Sequence, residues 1–324
     1  NFSFNDFSLT KPIFDNIKIG ENILTFYRME NKTDVDKGES SFGAFDLAGI
    51  MTSNITYMGD IESYTGSNPK SKFDKMFKRS KTAGNVKFTP KQDQYNDFFD
   101  LDNLRKYSSK ISSIIDNINT SNGVIFIYSQ FIWAGVVPLA LALEYNGYSK
   151  YGGSIWDGPK KAPKVINGKP VQYIIISGDK DLSKNAYEEY LKIQNQNQDG
   201  DVVKVIIGSE TSAEGLDFSF IREVHILDPW HHLNKLEQII GRAIRNCSHI
   251  ALPVEQRNVL VYLYAATLSG NPQLQNETID LKMFRTAENK SKQMAAVEFL
   301  LKRNAIDCNL NLEGNRFVND TWNK

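Results

Sequence analysis

Cysteine is almost absent from this sequence, and neither sign of charge is in excess. Its 324 residues include only Cys247 and Cys308. Two cysteines are too few for a disulfide framework, so we expect a reducing, intracellular environment. Lysine plus arginine and aspartate plus glutamate number 38 each, which leaves a formal net charge of zero. The chain as a whole therefore has no positive field that would attract nucleic acid, and any contact with nucleic acid has to be local.

No stretch of the sequence resembles a membrane span or a secretory signal. The longest apolar run, residues 133–143, is shorter than the ~20 residues that a transmembrane helix needs. Asn1 opens a polar, phenylalanine-rich segment rather than a charged start followed by an apolar signal core. We therefore expect no membrane partner. The missing initiator methionine predicts a fragment of a longer chain.

The usual phosphate-binding, metal-binding and nucleophilic motifs are also missing. No G-x-x-x-x-G-K-[ST] sequence occurs, so there is no P-loop, and no Asp-Glu pair of the metal-binding type follows an apolar strand. His231 and His232 are adjacent, but no cysteine or carboxylate spacing completes a tetrahedral metal set. Cys247 has His249 nearby without a nucleophile elbow or an oxyanion loop. We predict no metal site, and packing or helix-end contacts for the histidines.

From about residue 101, strand-like and helix-like stretches alternate. The helix-like stretches predict single helices at residues 104–118, 133–145, 182–194 and 286–304. The strand-like runs are continuous, apolar and rich in β-branched residues, and they occupy residues 123–128, 171–177, 203–207, 223–227 and 258–265. Strands of this kind separated by helices indicate a mostly parallel sheet covered by helices on both faces. The sequence therefore predicts an α/β fold with its functional loops at the carboxyl ends of the strands.

Residues 1–100 carry no sustained helical periodicity, and we interpret them as an irregular, partly β arm or insertion. Between residues 70 and 91 lie eight basic side chains and one acid. Three phenylalanines are interleaved with these cations: Phe73, Phe77 and Phe88. Cations combined with stacking rings suit a single-stranded nucleic acid, which makes Lys78 and Arg79 candidate contacts. A solvated linker explains the same pattern.

The most informative stretch is residues 203–249. An apolar strand, a small polar loop and a second strand lead to an amphipathic helix that begins near His232. At about 100° per residue, Gln238, Arg242 and Arg245 fall within roughly 60° of one another on the polar face. Two clustered guanidiniums require an anionic partner, and a phosphate chain fits because arginine binds phosphate oxygens bidentately. Two unrelated arginines on a solvated face are the alternative.

Two motifs in this stretch resemble those of superfamily 2 helicases. The sequence Gln238-x-x-Gly241-Arg242-x-x-Arg245 is similar to motif VI, the arginine-finger motif. Glu214-Gly215-Leu216-Asp217 follows the apolar strand and is similar to motif V. Both motifs stand in the family's order and spacing. The chain therefore resembles the second RecA-like domain of such a helicase, with a central, mostly parallel sheet.

The resemblance implies a nucleotide-binding role for a small set of residues. Arg242 and Arg245 would reach a γ-phosphate held by the other RecA-like domain and stabilise charge in the transition state. Gln238 would contact or orient the nucleotide, while Gly215 and Asp217 would line the nucleotide cleft. The cofactor is then ATP with Mg²⁺, whose metal and phosphates are held mainly by an N-terminal domain. By itself this chain is expected not to hydrolyse ATP.

The same resemblance implies a nucleic-acid surface beside the nucleotide. Ser209, Thr211 and Ser212 would contact the phosphodiester backbone through hydroxyls and amides, which is a sequence-independent contact. Turn formation is the alternative for these residues. Ser129 and Gln130 match motif IV loosely, and loop capping is the alternative there. The expected track is a single-stranded or duplex nucleic acid, with DNA favoured.

A narrower likeness covers residues 104–312. Ile221 to Trp230 and Leu236 to Arg245 are similar to helicases of the large nucleocytoplasmic DNA viruses, of the type of the poxviral early transcription factor small subunit and its African swine fever virus and giant virus counterparts. This likeness implies a role in viral transcription or genome handling, in host cytoplasmic factories or the virus particle. Viral RNA polymerase or transcription factors would be partners beside the N-terminal RecA-like domain.

We therefore divide the chain into an arm or insertion region at 1–100, a RecA-like helicase C-terminal domain at 101–312 and a tail at 313–324. The predicted function is the C-terminal half of an ATP-dependent nucleic-acid helicase or translocase, which hydrolyses ATP as the complete protein. One alternative is a non-catalytic transcription-initiation or assembly module built on a helicase fold. The other, a sugar-nucleotide transferase, shares only a parallel sheet with this pattern.

Overall fold

The computed structural model describes residues 44–58, 68–82, 85–210, 217–245, 247–267 and 277–304. Its helices are α1 (Ala44–Asn54), α2 (Pro69–Met76), α3 (Leu101–Tyr107), α4 (Ser109–Thr120), α5 (Val137–Tyr145), α6 (Lys180–Ser183), α7 (Ala186–Gln194), α8 (Leu233–Ala243) and α9 (Ile279–Arg303). Its strands are β1 (Phe77–Thr82), β2 (Asn85–Pro90), β3 (Val124–Tyr128), β4 (Ser149–Lys150), β5 (Val165–Ile166), β6 (Lys169–Pro170), β7 (Gln172–Ile176), β8 (Val205–Gly208), β9 (Ile221–Ile226) and β10 (Leu260–Leu263).

Six strands form the central sheet, in the order β10-β9-β3-β8-β7-β4. Every neighbouring pair in this sheet is parallel. Parallel neighbours require crossover connections, and the helices between the strands provide them. The mostly parallel, RecA-like sheet that the sequence predicts is therefore confirmed. Four of the five predicted apolar runs form the adjacent strands β9, β3, β8 and β7, and the fifth forms the edge strand β10.

The core lies on both faces of this sheet, as the side chains of β3 show. Ile125 and Ile127 belong to a cluster that includes residues of α4 and α5. Val124 and Phe126 belong to a second cluster that includes residues of α7 and α8. Successive residues of a strand face opposite sides, so the burial of all β3 residues requires helices on both faces. A continuous apolar run is the sequence signature of that arrangement.

The described part of residues 1–100 is regular in structure and packs into the first of these clusters. It holds α1, α2 and the antiparallel β1–β2 hairpin. Phe73, Phe77 and Phe88 are at most 1% exposed and share a cluster with α4 and α5. The prediction that these rings stack on nucleic acid is wrong, because they pack edge to face against one another in the interior, as Phe73 and Phe88 do at 5.3 Å and 89°. The core continues across residue 100 without a break.

Two stretches predicted as single helices are interrupted by polar residues. The stretch 104–118 is divided between α3 and α4 by Ser108, whose backbone is extended with φ −155°. Its hydroxyl accepts a hydrogen bond from Ile111 N at 3.1 Å and so caps α4. The stretch 182–194 is divided between α6 and α7 by Asn185, which adopts the left-handed conformation at φ 56°.

The C-terminal helix α9 begins earlier than the predicted helix at 286–304. Thr278 caps it by accepting a hydrogen bond from Leu281 N at 3.4 Å, which adds two turns at its start. Those turns bring Asp280 into the interior, where it is fully buried. Within the part of the chain that the structure describes, neither α9 nor any other helix is long and apolar enough to span a bilayer.

Candidate functional site

Three predicted functional loops lie side by side at the carboxyl edge of the sheet. The loops follow β9, β3 and β8, which are consecutive neighbours in the sheet. Backbone hydrogen bonds join them where the strands end: Leu227 N donates to Tyr128 O at 3.0 Å, and Ser129 N donates to Gly208 O at 3.1 Å. These three loops therefore lie together at one edge of the sheet, where ligands bind in open α/β folds.

The helix that carries motif VI has the amphipathic form that the sequence predicts. Its buried residues are Leu236, Ile239, Ile240 and Ala243, which pack on the second core cluster. Fully burying an isoleucine or leucine side chain contributes roughly 1.5–3 kcal/mol, so this face fixes α8 on the sheet. Gln238 is exposed on the opposite side, and Arg242 is half-buried in the last turn.

Arg245 is not on the helix. Helix α8 ends at Ala243, and its cap residue Ile244 has φ −109° and ψ 80°. The helical angle predicted for Arg245 is therefore wrong, because the chain turns before reaching it. Ser248 stabilises this turn, since its hydroxyl donates to Arg245 O at 2.9 Å. The Arg245 guanidinium is consequently carried on a turn beyond the helix and is 38% exposed.

Motif V and motif VI meet in a direct ion pair. Arg245 Nη1 contacts Asp217 Oδ1, so one predicted nucleotide-cleft residue holds one predicted arginine finger. Asp217 is itself positioned by α7, because its backbone N–H donates to Tyr187 Oη at 3.0 Å. Asp217 is 61% exposed, so the pair stands at the surface. Gly215 lies outside the described residues.

Two of the three serines predicted to contact nucleic acid, Ser129 and Ser209, are buried. Ser129 is fully buried, and its hydroxyl accepts a hydrogen bond from Phe131 N at 3.2 Å. Its position fits the loop-capping alternative. Ser209 is 3% exposed. Gln130 is half-buried. Thr211 and Ser212 lie outside the described residues.

Lys78 and Arg79, adjacent in sequence, lie on opposite faces of the hairpin. Arg79 pairs with Phe88 in register and lies on the inward face. Its Nη2 contacts Asp181 Oδ2 at 2.9 Å, and its Cζ lies 5.8 Å from the ring centroid of Trp133. Lys78 is exposed on the outward face. Lys78 and Arg79 were predicted together because they are adjacent in sequence, but they lie in different environments.

Asp228 lies in a loop expected at this edge, but the sequence assigned it no role of its own. It follows β9 after one residue, is 3% exposed, and accepts a hydrogen bond through Oδ2 from Gln130 N at 2.6 Å. Asn54 of α1 donates to its other oxygen. Burial raises the pKa of its carboxyl to about 6, against the opposing effect of nearby Lys110 and these donors. Its position right after an apolar strand was the available signal.

The histidines make packing and backbone contacts, as predicted. His225 is fully buried between Tyr264 Oη, 2.7 Å from its Nδ1, and Glu223 Oε2, 3.0 Å from its Nε2. Burial lowers the pKa of His225. His249 Nε2 lies 2.6 Å from Ile221 O. Among the described residues, no group of three His, Cys, Asp or Glu side chains converges as metal ligands do, whereas the arginines of motif VI have the charge that a phosphate chain requires.

The comparisons with known proteins agree with the two motifs. Residues 163–247, from just before β5 to just past α8, match the family described as Helicase conserved C-terminal domain. A protein of Acanthamoeba polyphaga mimivirus, named as an ATP-dependent RNA helicase, is 35% identical over 225 residues, which are 67% of this chain and 36% of that protein. A termination factor NPH-I homolog of African swine fever virus is 32% identical over 242 residues, covering 64% of this chain and 33% of its own length.

This chain spans about a third of the length of these curated relatives. A helicase of Invertebrate iridescent virus 3 is 30% identical over 223 residues, covering 67% of this chain and 22% of that protein. Among solved structures, the yeast DEAD-box splicing factor Prp28 is similar over 56% of this chain and 30% of its own, with 14% sequence identity and a TM-score of 0.34.

Proposed function

Because the chain belongs to the superfamily 2 helicases of the large nucleocytoplasmic DNA viruses, as a C-terminal helicase domain, we propose that it is the second RecA-like half of an ATP-dependent nucleic-acid translocase or helicase. ATP binds between this domain and an N-terminal RecA-like domain. We assign most of the phosphates and the Mg²⁺ to that domain, because this sequence has no P-loop. Viral transcription or genome handling is the process it serves.

The observation that carries this proposal is the ion pair between Arg245 and Asp217 at the carboxyl edge. An exposed ion pair contributes only about 0–1 kcal/mol, so Arg245 is easily exchanged to a stronger anion. A phosphate that accepts two parallel hydrogen bonds is such an anion. Asp217 thus holds the guanidinium near the cleft until the γ-phosphate arrives, and Arg242 in the last turn of α8 adds a second positive charge.

The arginine then acts on the transition state of phosphoryl transfer. Charge spreads over the γ-phosphoryl oxygens as the bond to the leaving phosphate breaks, and a guanidinium at that position stabilises it. Gln238 is exposed on the same side of α8 and contacts the nucleotide or its attacking water. An arginine finger of this kind is worth about 10³–10⁵ in kcat.

Nucleic acid binds along the neighbouring loops at the same edge. Gln130, the backbone amides after β8 and the outward-facing Lys78 supply contacts to phosphates, which fix the register of a strand without reading its sequence. One relative is named an RNA helicase and another a termination factor homolog. Single-stranded DNA is the favoured track here, with RNA as the alternative, and polymerase or transcription factors are the protein partners.

ATP hydrolysis by the complete protein tests this proposal. Rates are measured without nucleic acid, with single-stranded DNA and with RNA, for wild type, Arg245→Ala and Arg285→Ala. Arg285 is the matched control because it is also an exposed arginine in a surface ion pair, with Glu277 at 2.6 Å. We expect stimulation by nucleic acid, a loss of about 10³ or more for Arg245→Ala and a wild-type rate for Arg285→Ala. A wild type without ATP hydrolysis and variants identical to it would indicate the non-catalytic assembly module instead. An active wild type matched by Arg245→Ala would mean that Arg245 is not the arginine finger.

A further inference from the structure

Asp228 stands at the junction between the loop after β3 and the segment that leads into α8. Its Oδ2 accepts from Gln130 N at 2.6 Å, and its Oδ1 accepts from Asn54 Nδ2 of α1. Only Pro229 to His232 separate it from the first residue of α8. One carboxylate therefore links the candidate nucleic-acid loop, helix α1 and the start of the arginine-bearing helix.

We propose that Asp228 is a positioning residue, which fixes the Ser129–Gln130 loop relative to the helix that presents Arg242. The inference rests on the proposed function for its consequence in nucleic-acid binding, whereas the positioning itself is a property of the fold. Asp228 belongs to the segment that leads into α8 and is bound to Gln130 N. A displacement of the Ser129–Gln130 loop is therefore passed to that segment, and a displacement of the segment is passed to the loop. Asp228 itself touches no ligand in this account.

Asp228 belongs to a buried cluster of charges whose cation is bound to a different carboxylate. Both Asp228 oxygens are therefore free to accept hydrogen bonds from neutral donors. Lys110 of α4 is fully buried and its Nζ lies 2.8 Å from Asp280 Oδ2, 3.1 Å from Ser53 Oγ and 3.2 Å from Leu227 O. Asp280 also accepts from Ala266 N at 2.8 Å. The cluster thus holds one cation and two carboxylates, and the cation is bound to Asp280. Asp228 is left with neutral donors, which are the Asn54 side chain, the Gln130 backbone amide and the Ser129 hydroxyl.

An ionised carboxylate in this position lowers the stability of the fold. Burial raises its pKa from 3.8 to about 6, so the folded protein binds the proton more tightly than the unfolded chain does. At neutral pH the folded state must keep the charge without a cation of its own, which costs folding free energy. Perturbed groups of this kind are concentrated at functional sites, and a stability cost at such a site is typical of function.

The loop that Asp228 holds is also confined from the other side. Gly135 packs against Ser129 so closely that a Cβ built on it would lie 1.9 Å from Ser129 Oγ. Ser129 is therefore fixed by Gly135, by its own hydrogen bonds to Phe131 and by a hydrogen bond to Asp228. The Gln130 amide, one residue further on, donates to Asp228. Asp228 consequently binds two successive residues of this loop.

Two substitutions at Asp228 separate positioning from general stability. Asp228→Ala removes both acceptors and leaves the Gln130 N–H without its partner. Asp228→Asn keeps the shape and one carbonyl oxygen for Gln130 N but removes the buried charge. Glu144→Ala is the matched control for Asp228→Ala, because Glu144 is another buried carboxylate (1% exposed) that accepts from two backbone amides, Ile155 N at 2.8 Å and Trp156 N at 3.1 Å.

The experiment measures amide hydrogen exchange, thermal stability near neutral pH and the affinity for a fluorescent single-stranded oligodeoxythymidylate. For Asp228→Ala we expect exchange across residues 129–132 to become at least about tenfold faster and the oligonucleotide to bind about tenfold more weakly. Asp228→Asn restores both properties and melts no lower than wild type. Glu144→Ala loosens residues 154–156 and leaves the exchange of residues 129–132 and the affinity unchanged.

The two claims fail in different ways. If Asp228→Ala leaves exchange of residues 129–132 at the wild-type rate, Asp228 does not position the loop. If Asp228→Asn exchanges as fast as Asp228→Ala, the acceptor is not what matters, and the inference is again wrong. If exchange behaves as expected while wild type binds no oligonucleotide, positioning stands and the proposed function loses its nucleic-acid surface.

Discussion

Two aspartates at the carboxyl edge of this sheet carry the same charge in opposite surroundings. Asp217 is 61% exposed and holds Arg245, whereas Asp228 is 3% exposed and holds a backbone amide and an asparagine. Exposed pairs are screened by water and contribute about 0–1 kcal/mol. Buried charges depend on every partner, and removing one costs about 3–5 kcal/mol. The exposed aspartate can exchange its partner for a ligand, while the buried one can only hold geometry.

This difference assigns separate tasks to neighbouring loops. Arg245, which must move to a phosphate, is bound weakly by the exposed Asp217. The Ser129–Gln130 loop, which must stay in place, is bound by the buried Asp228. Asp181 lies between these extremes at 31% exposure, bound to Arg79 and Lys81. Four measurements test whether exposure decides how firmly each of these carboxylates holds its partners.

The largest effect is expected from Lys110, the one cation paired with a carboxylate in the buried cluster. Lys110→Ala leaves Asp280 buried without its partner at 2.8 Å, so we expect a loss of about 3–5 kcal/mol in the free energy of unfolding, measured by urea denaturation. Lys292→Ala is the control, because Lys292 pairs with Glu288 at 2.6 Å but is 60% exposed. Equal midpoints for the two variants would show that burial does not separate these pairs.

The pH dependence of stability isolates the charge of Asp228. Its pKa is raised from 3.8 to about 6 in the folded protein, so the folded state binds more protons than the unfolded state in this window, and stability falls as pH rises through it. Asp228→Asn lacks this titration. The difference in unfolding free energy, variant minus wild type, is therefore expected to grow from about pH 4 to about pH 6 and to stay level above. A difference that does not change with pH would mean that folding does not shift the pKa of Asp228.

The Asp181→Asn variant tests whether the two cations held by this half-exposed carboxylate can bind nucleic acid once its charge is removed. Its hydrogen bond to Lys81 lowers its pKa, as do the charges of Lys81 and Arg79, so it stays ionised and holds both cations. In Asp181→Asn the two cations are released toward the Trp133 ring and the solvent. We expect single-stranded DNA to bind several-fold more tightly at low salt, with the gain disappearing as salt rises.

Asp199→Asn is the control for the Asp181 substitution, because it removes the same charge from an exposed site near the amino end of β8. Tighter binding by both variants would indicate a general effect of net charge. An unchanged affinity for Asp181→Asn would identify its ion pairs as contacts that only attach the hairpin to α6.

The sequence predicted the parts of this site that depend on local pattern. The apolar runs gave the parallel sheet, and the buried face of α8 follows from the spacing of Leu236, Ile240 and Ala243. Burial of Phe73 and Phe88 could not be predicted, because it depends on α4 and α5, which are distant in sequence. The same holds for Asp228, whose donors Asn54 and Gln130 lie 174 and 98 residues away. Arg245 was misplaced because a helical angle was extended past the end of the helix.

Asp217 offers the smallest effect and the sharpest contrast with Lys110. Asp217→Asn breaks the ion pair with Arg245, but both side chains already contact water, so we expect the free energy of unfolding to change by less than about 1 kcal/mol. Urea denaturation at low and high salt measures it, and any difference from wild type should vanish at high salt. A loss as large as that of Lys110→Ala would show that Arg245 is held firmly in place. An arginine held that firmly could not leave Asp217 for a phosphate, and the exchange that the proposed mechanism requires would then be wrong.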